Sequence, residues 1–452
     1  MATQTSADVT TVSPAATHVA PADVRSDDPQ PIMWGHPRAF WTLAFVEMWE
    51  RFGFYLMVSQ LVLFLNERWL LTGPEAITWF GYYITAVYFS PLLGGFVAER
   101  AWNRAVWVTM GAGFLAVGYF GFALAKRETM ALWFGLLIVG NGLFKANIAA
   151  LLGSLYTLGD PRRDAAFSYF YLAVNIGGAL SPIVGGLLRV RYGWSVAFST
   201  AGVGLVIATA VLLYFTLHHD GIDRAKQSAA AANHDGSSAS LRIAALLLLS
   251  VAVLPFWTAM MQTGSSLALW ARDNTHRTLS LFGFSAEFAP EQFSSLGSVY
   301  ILFLTVPLTR VLARFRGGRG IHSATKIVLG LLVSGTAFVV ISLVASQTGS
   351  GQAHMAWLAV YYLIFTVGEL LLSPVGMSIV SRISPSRWVG VMIGVWFVST
   401  ASGNLFVGLL GRYWELWSHS RYFATLGAAL LAAALLLASQ IRWLKRVIPS
   451  QP

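Results

Sequence analysis

Apolar stretches of about 20 residues recur twelve times along the chain. They fall near 40–65, 76–98, 106–125, 130–153, 167–190, 194–217, 243–269, 292–315, 325–346, 355–380, 388–410 and 422–444. Each is long enough to cross a hydrocarbon core of ~30 Å as a helix. The connecting segments are short, apart from a polar start and an Ala- and Ser-rich stretch at 218–241. Six spans, a linker and six more predict an all-α polytopic membrane protein built from two repeated halves. The expected organisation is a disordered cytoplasmic tail at 1–35, a first six-helix half at 36–217 and a cytoplasmic linker at 218–241. A second half follows at 242–446, then a short tail at 447–452. Residues 1–35 lack the apolar core of a signal peptide, so the first span reads as an uncleaved anchor.

Composition narrows the class. Of the 452 residues 56% are hydrophobic and 11% charged, against about 25% charged in a soluble domain. The absence of cysteine excludes disulfides, thiolate metal sites and cysteine nucleophiles. All nine histidines lie in the tail, loops or span edges, which argues against an imidazole metal site or a histidine proton relay. The net charge of +10 comes from basic residues dispersed over short loops, so membrane lipid, not nucleic acid, is the expected partner surface. With both termini inside, 19 basic residues fall on the cytoplasmic side against nine opposite. That asymmetry sets the expected orientation.

Five charges remain well inside spans: Glu47, Glu50, Arg51, Lys145 and Glu369. A charge at the bilayer centre costs about 2.5–3.5 kcal/mol on insertion scales. Helical spacing turns Glu47, Glu50 and Arg51 toward roughly one side of the first span. They form either a structural ion cluster or a proton and substrate site. Arg51 and Lys145 belong to the first half and Glu369 to the second, a dipole suited to a zwitterion with separated ends. Lys145 is equally suited as counter-ion to Glu47 or Glu50. Those two carboxylates compete for few cations in low dielectric, a condition that favours protonation of one of them. No catalytic constellation accompanies these charges, so an enzyme is not expected. A receptor would bind without turnover, and a channel would repeat pore-lining polar residues.

Several stretches resemble known families. Gly94-Gly-Phe-Val-Ala-Glu99-Arg100-Ala-Trp-Asn-Arg104 resembles the loop between spans two and three of the major facilitator superfamily. That resemblance implies a gating latch at Glu99 and Arg100. His36-Pro-Arg and the Glu-x-x-Glu-Arg-Phe-x-x-Tyr run at 47–55 resemble the first span of the proton-dependent oligopeptide transporter (POT) family. Gly142-Leu-Phe-Lys145-Ala-Asn147, Asp160-Pro-Arg-Arg-Asp164 and Phe170-Tyr-Leu-Ala-Val-Asn175-Ile-Gly177 continue the match. Phe256-Trp257 through Gln262-Thr-Gly-Ser-Ser266 and Gly368-Glu369-Leu-Leu-Leu-Ser-Pro374 extend it into the second half.

The resemblance implies a major facilitator fold and proton-coupled symport of di-/tripeptides or peptide-like zwitterions by alternating access. Protons are the coupling ion, with no other cofactor and no metal. Glu47, Glu50 and Arg51 are implied in coupling, and Arg51 and Lys145 in binding the substrate carboxylate. Asn175 and Glu369 are implied at the substrate amine, and Tyr55 and Gln262 as lining groups. Trp396 joins them as a weaker aromatic candidate, with Tyr82, Tyr83 and Phe397. A functional monomer in a bacterial inner membrane is expected. The departures are Val58 where relatives often carry Arg, Met261 where many carry Glu, and Gly297-Ser298 in place of Asn-Pro. Losing both gate charges together leaves apolar packing to close the gate. The alternative is a divergent member that moves another small organic solute with weak or no proton coupling.

Overall fold

The computed structural model describes residues 32–98, 103–156, 160, 162–218, 239–281, 283–314, 321–349, 351–385 and 388–448. Eleven of its helical segments are long and apolar enough to cross a membrane. The helix Arg38–Trp69 (α1) is the twelfth crossing and falls outside that set because Glu47, Glu50 and Arg51 interrupt it. In the first half α2 (Gly73–Ala98), α3 (Arg104–Ala123), α4 (Met130–Ser154), α5 (Arg162–Tyr192) and α6 (Trp194–His218) follow. Pro37 precedes the first turn of α1, and Leu70, in the left-handed region at φ 54°, ends it. Asn103 starts α3 by accepting a hydrogen bond from the Ala105 N–H, which satisfies one of the orphan donors of a helix N-terminus.

The second half opens differently from the sequence expectation. The span expected near 243–269 is present as one membrane-length stretch, Ala239–Asp273, but it is not a single helix. Instead α7 (Ala239–Ala252), α8 (Leu254–Met260), a 3₁₀ turn at Met261–Gly264 and α9 (Ser266–Asp273) follow one another. Pro255 lacks the N–H that would continue α7. Gly264 then packs directly on the Val58 carbonyl of α1, where a Cβ would clash, and the chain tightens there to make the approach. The expected linker at 218–241 lies outside the described residues except at His218, which ends α6, and at 239–241, which begin α7. α10 (Ser295–Arg314), α11 (Ser323–Thr348), α12 (Ala356–Ile383), α13 (Val389–Gly411) and α14 (His419–Ser439) complete the half. A short α15 (Ile441–Val447) follows a break at Gln440, inside the stretch expected as one span.

Both ends of the described chain lie on one face. His36 Nδ1 and the Tyr156 hydroxyl share a 2.8 Å hydrogen bond, and His322 Nε2 lies 2.9 Å from the Ile448 carbonyl. At the opposite face the halves are locked together. The backbones of Gly81 in α2 and Gly408 in α13 touch without side chains between them, and the Thr78 hydroxyl donates to the Gly408 carbonyl. Val58 and Met261 are both buried, so apolar packing does fill the place where charges were absent from the sequence. Outside that plug, Arg189 of α5 donates to both oxygens of Glu291, at 2.5 and 3.1 Å. Glu67 of α1 sits 3.5 Å from Arg189 and 3.7 Å from Arg272 of α9, and Arg272 also donates to Asn66. Arg189 stacks over Trp194 as well.

Glu291 is fully buried, and a buried charge that loses its partner is strongly destabilising. Glu291→Gln is therefore expected to weaken the closed opposite face by about 3 kcal/mol, the lower end for a buried pair because Glu67 still faces Arg189. A single cysteine replacing the buried Ser295 in this cysteine-free chain would report it. Maleimide labelling should be at least ~10-fold faster in the Glu291→Gln background, and a rate equal to the parent's would contradict the lock.

Candidate functional site

The three charges of α1 are buried side by side, with Glu47 and Glu50 almost fully enclosed. Arg51 grips its own neighbour: Nε donates to Glu50 Oε2 at 2.5 Å and Nη2 to Oε1 at 2.6 Å. The same Oε1 accepts a third hydrogen bond, 3.2 Å long, from Asn141 Nδ2 of α4. One helical turn further along α4, Lys145 Nζ donates to Glu47 Oε1 at 2.6 Å. Arg51 Nε lies 3.6 Å from that oxygen, and its guanidinium stacks 4.5 Å from the Phe54 ring centroid. Two cations and two carboxylates thus form a neutral cluster. Charge-assisted bonds of this length offset part of the desolvation cost of burying four ions. Glu47 Oε2 is the exception, enclosed and without a hydrogen-bond partner among the described residues.

The cluster forms the wall of a cavity of about 390 Å³ lined by Arg51, Phe54, Tyr88, Asn141, Lys145 and, from the second half, Phe397. Its remaining walls come from the ends of α2 and α4 nearest the face that holds the termini. Glu369 of α12 lines a second, smaller cavity of about 60 Å³ with Tyr55, Thr263, Ser298, Tyr362 and Thr366. Among the described residues Glu369 makes no ion pair and no hydrogen bond. The Thr263 and Tyr362 hydroxyls, 2.7 Å apart, bond to each other beside it. Arg51 and Lys145 therefore share one cavity, and Glu369 occupies a neighbouring one. Tyr88 of the first and Tyr55 of the second each lie within electrostatic reach of both Arg51 and Glu369.

The other residues singled out by the sequence are placed unevenly. Tyr55 lines the Glu369 cavity and Phe397 the larger one. Asn175 is buried, its amide donating to the Tyr171 carbonyl of its own helix. Gln262 does not face either cavity. It is enclosed in a polar knot, donating to the Thr258 carbonyl while its Oε1 accepts from Ser265, Ser266 and Tyr422. Trp396 is buried edge-on against Trp257, its ring over Gly376. Tyr82 is exposed on the outside of α2, and Tyr83 packs on Phe134. Glu99 and Arg100, expected as a gating latch, lie outside the described residues.

Asn141 and Tyr88 are the additions the sequence reading missed. Asn141 could have been found from its position, four residues before Lys145 and hence on the same stripe of α4. The pairing pattern makes a stability statement. Lys145→Gln leaves Glu47 enclosed without its closest cation, costing about 1–3 kcal/mol, below the full buried-pair penalty because Lys145 is itself part-exposed. Thermal unfolding in detergent should show that loss, and Glu47→Gln in the same chain should restore most of it. No restoration would mean that the pair is not the source.

Comparison with known proteins agrees with this geometry. Residues 105–233 and 222–415 match a family model described as the POT family. The dipeptide and tripeptide permease A of Proteus mirabilis is 29% identical over 439 residues, covering 86% of this chain and 89% of the relative. Permease B of Edwardsiella piscicida is 27% identical, covering 91% and 96%. A solved peptide transporter POT mutant in complex with alafosfalin superposes with a TM-score of 0.84 at 27% identity, covering 93% of this chain and 97% of that one. A POT family transporter solved with 5-aminolevulinic acid gives the same score at 23% identity, over 92% and 99%, and speaks for the fold. With a family model matched over most of its length, and twelve membrane crossings arranged as in those structures, the chain belongs to the POT family.

Proposed function

We propose that this integral membrane protein is a proton-coupled symporter. It imports di-/tripeptides or peptide-like zwitterions by alternating access, as a monomer in a bacterial inner membrane with both termini in the cytoplasm. The related permeases are named for dipeptides and tripeptides. The observation that carries the proposal is the distribution of charge over the two cavities. Arg51 and Lys145 offer cations on one side, and Glu369, without a partner among the described residues, lies on the other.

A substrate carboxylate entering the larger cavity must take a cation that already holds a carboxylate. Proton binding to Glu47 or Glu50 removes that competition and frees Lys145 or Arg51 for the substrate. Glu50 is held by three N–H donors, whereas Glu47 keeps one oxygen without a partner. Glu47, the carboxylate with the unpartnered oxygen, is therefore the proposed proton carrier of the two. The substrate ammonium is then matched to Glu369, with the Tyr55 hydroxyl beside it. The locked opposite face and the cavity on the termini side correspond to a state open toward the cytoplasm.

A second reading keeps the fold and changes the cargo. Of the departures from the family pattern, Val58 and Gly297-Ser298 line the cavity that holds Glu369, and another small organic solute with weak coupling is consistent with that smaller cavity. Proteoliposomes loaded with purified protein separate the two. Di-alanine and di-leucine uptake should rise severalfold when the outside is made acidic. Glu47→Gln should abolish that driven uptake and leave counterflow. Driven uptake unchanged in the variant would reject Glu47 as the coupling group, and no peptide uptake by the parent would favour the second reading.

A further inference from the structure

The amide of Asn141 is placed where neither packing nor the paired cations require it. It is buried on α4, one turn from Lys145, and it lines the larger cavity. Its Nδ2 donates to Glu50 Oε1, the oxygen that also accepts from Arg51 Nη2. Among the described residues its Oδ1 has no hydrogen-bond partner. A neutral donor at this point does something a cation cannot. It stays on Glu50 when Arg51 leaves, because a substrate carboxylate attracts the guanidinium and does not attract an amide nitrogen away from another carboxylate.

We infer that Asn141 is a positioning residue for proton coupling: it holds Glu50 in its ionised form while Arg51 engages the substrate, so that the proton is shared out within the Glu47/Glu50 pair instead of settling on Glu50. This rests on the proton-coupled reading above. The groups that face Glu50 are few. Arg51 and Glu47 come from α1, and Lys145 reaches Glu47 from α4. Tyr83 and Tyr88 of α2 and Tyr119 of α3 lie within electrostatic reach of it. Of these, Arg51 alone hydrogen-bonds Glu50, so Asn141 is the second of its two side-chain donors among the described residues.

The test reads the pH at which substrate affinity is lost. Half-saturation for di-alanine counterflow is measured from pH 5 to 9 in proteoliposomes with equal pH on both sides. In the parent, affinity falls as the pair ionises and recaptures Arg51 and Lys145. Asn141→Leu removes a donor that favours the ionised carboxylate, so the fall should move upward by about one pH unit. Asn141→Asp, which keeps the size and sets a third carboxyl against Glu50, should move it at least as far. In a Glu50→Gln background Asn141→Leu should move nothing, which a general packing defect would not achieve. An unmoved profile in the variants, or an equal shift with and without the Glu50 carboxylate, would overturn the inference. Should Asn141→Leu fail to reach the membrane, Asn141→Ala, which removes the donor without adding a titratable group, decides by the same two readouts. A parent profile flat across the range would instead remove the proton-coupled reading, and this inference with it.

Discussion

The cluster of Glu47, Glu50, Arg51 and Lys145 is what the first half of the molecule is arranged around. Four ionised groups in a span would each cost several kcal/mol if solvated only by hydrocarbon. They are tolerated because each cation meets a carboxylate at hydrogen-bond distance and because Lys145 borders a cavity and stays part-exposed. That requirement fixes how α1 and α4 sit. Lys145 and Asn141 must face Glu47 and Glu50, and small residues let the surrounding helices close in. Gly177 of α5 abuts the Met48 carbonyl, and Gly142 of α4 abuts Ser90 of α2. A larger side chain at Gly177 would push α5 away from α1, and one at Gly142 would push α4 away from α2.

The opposite face solves a different problem with a different mixture of forces. Glycine contacts and buried Val58 and Met261 exclude water in the middle of the interface between the halves, and the ion pairs of Glu67, Arg189, Arg272 and Glu291 ring that plug toward the outer edge. Apolar contact is non-directional and separates without leaving an orphaned charge. Ion pairs are directional and set the register in which the halves meet. An interface that must open and close repeatedly needs both properties, since a wholly ionic seal would carry a large desolvation change at each cycle.

Much of this was legible in the sequence, because membrane cost makes certain signals loud. The twelve spans appear as long apolar runs, and the observed helices begin and end within a few residues of most of them. The five intramembrane charges announced themselves for the same reason. What local pattern could not give was partnership. That Arg51 turns back on Glu50, while Lys145 takes Glu47, depends on rotamers and on the register of α1 against α4. The 3₁₀ turn at Met261–Gly264 answers a contact with Val58, roughly two hundred positions earlier in the chain, so no window around it reveals the break. Gln262 and Trp396 sit in runs that resemble binding motifs, yet Gln262 accepts hydrogen bonds from Ser265, Ser266 and Tyr422, and Trp396 packs edge-on against Trp257. Asn141 escaped notice because an uncharged amide in a span is cheap enough to be ordinary.

Counting charges gives the coupling a simple physical basis on the proposed reading. Three carboxylates face two cations, and the surplus falls on Glu369, which borders a cavity and lacks a partner among the described residues. A zwitterion adds one charge of each sign and leaves the total unchanged, but it redistributes the deficit. Its ammonium satisfies Glu369, and its carboxylate claims Arg51 or Lys145. One carboxylate of α1 is then left behind, in the most enclosed part of the site, where an unpaired negative charge is most costly. Taking up a proton is the cheapest relief. Substrate binding would therefore favour the proton to the same extent that the proton favours the substrate. The coupling would then reside in the unequal burial of Glu369 and Glu47, not in the chemistry of either residue alone.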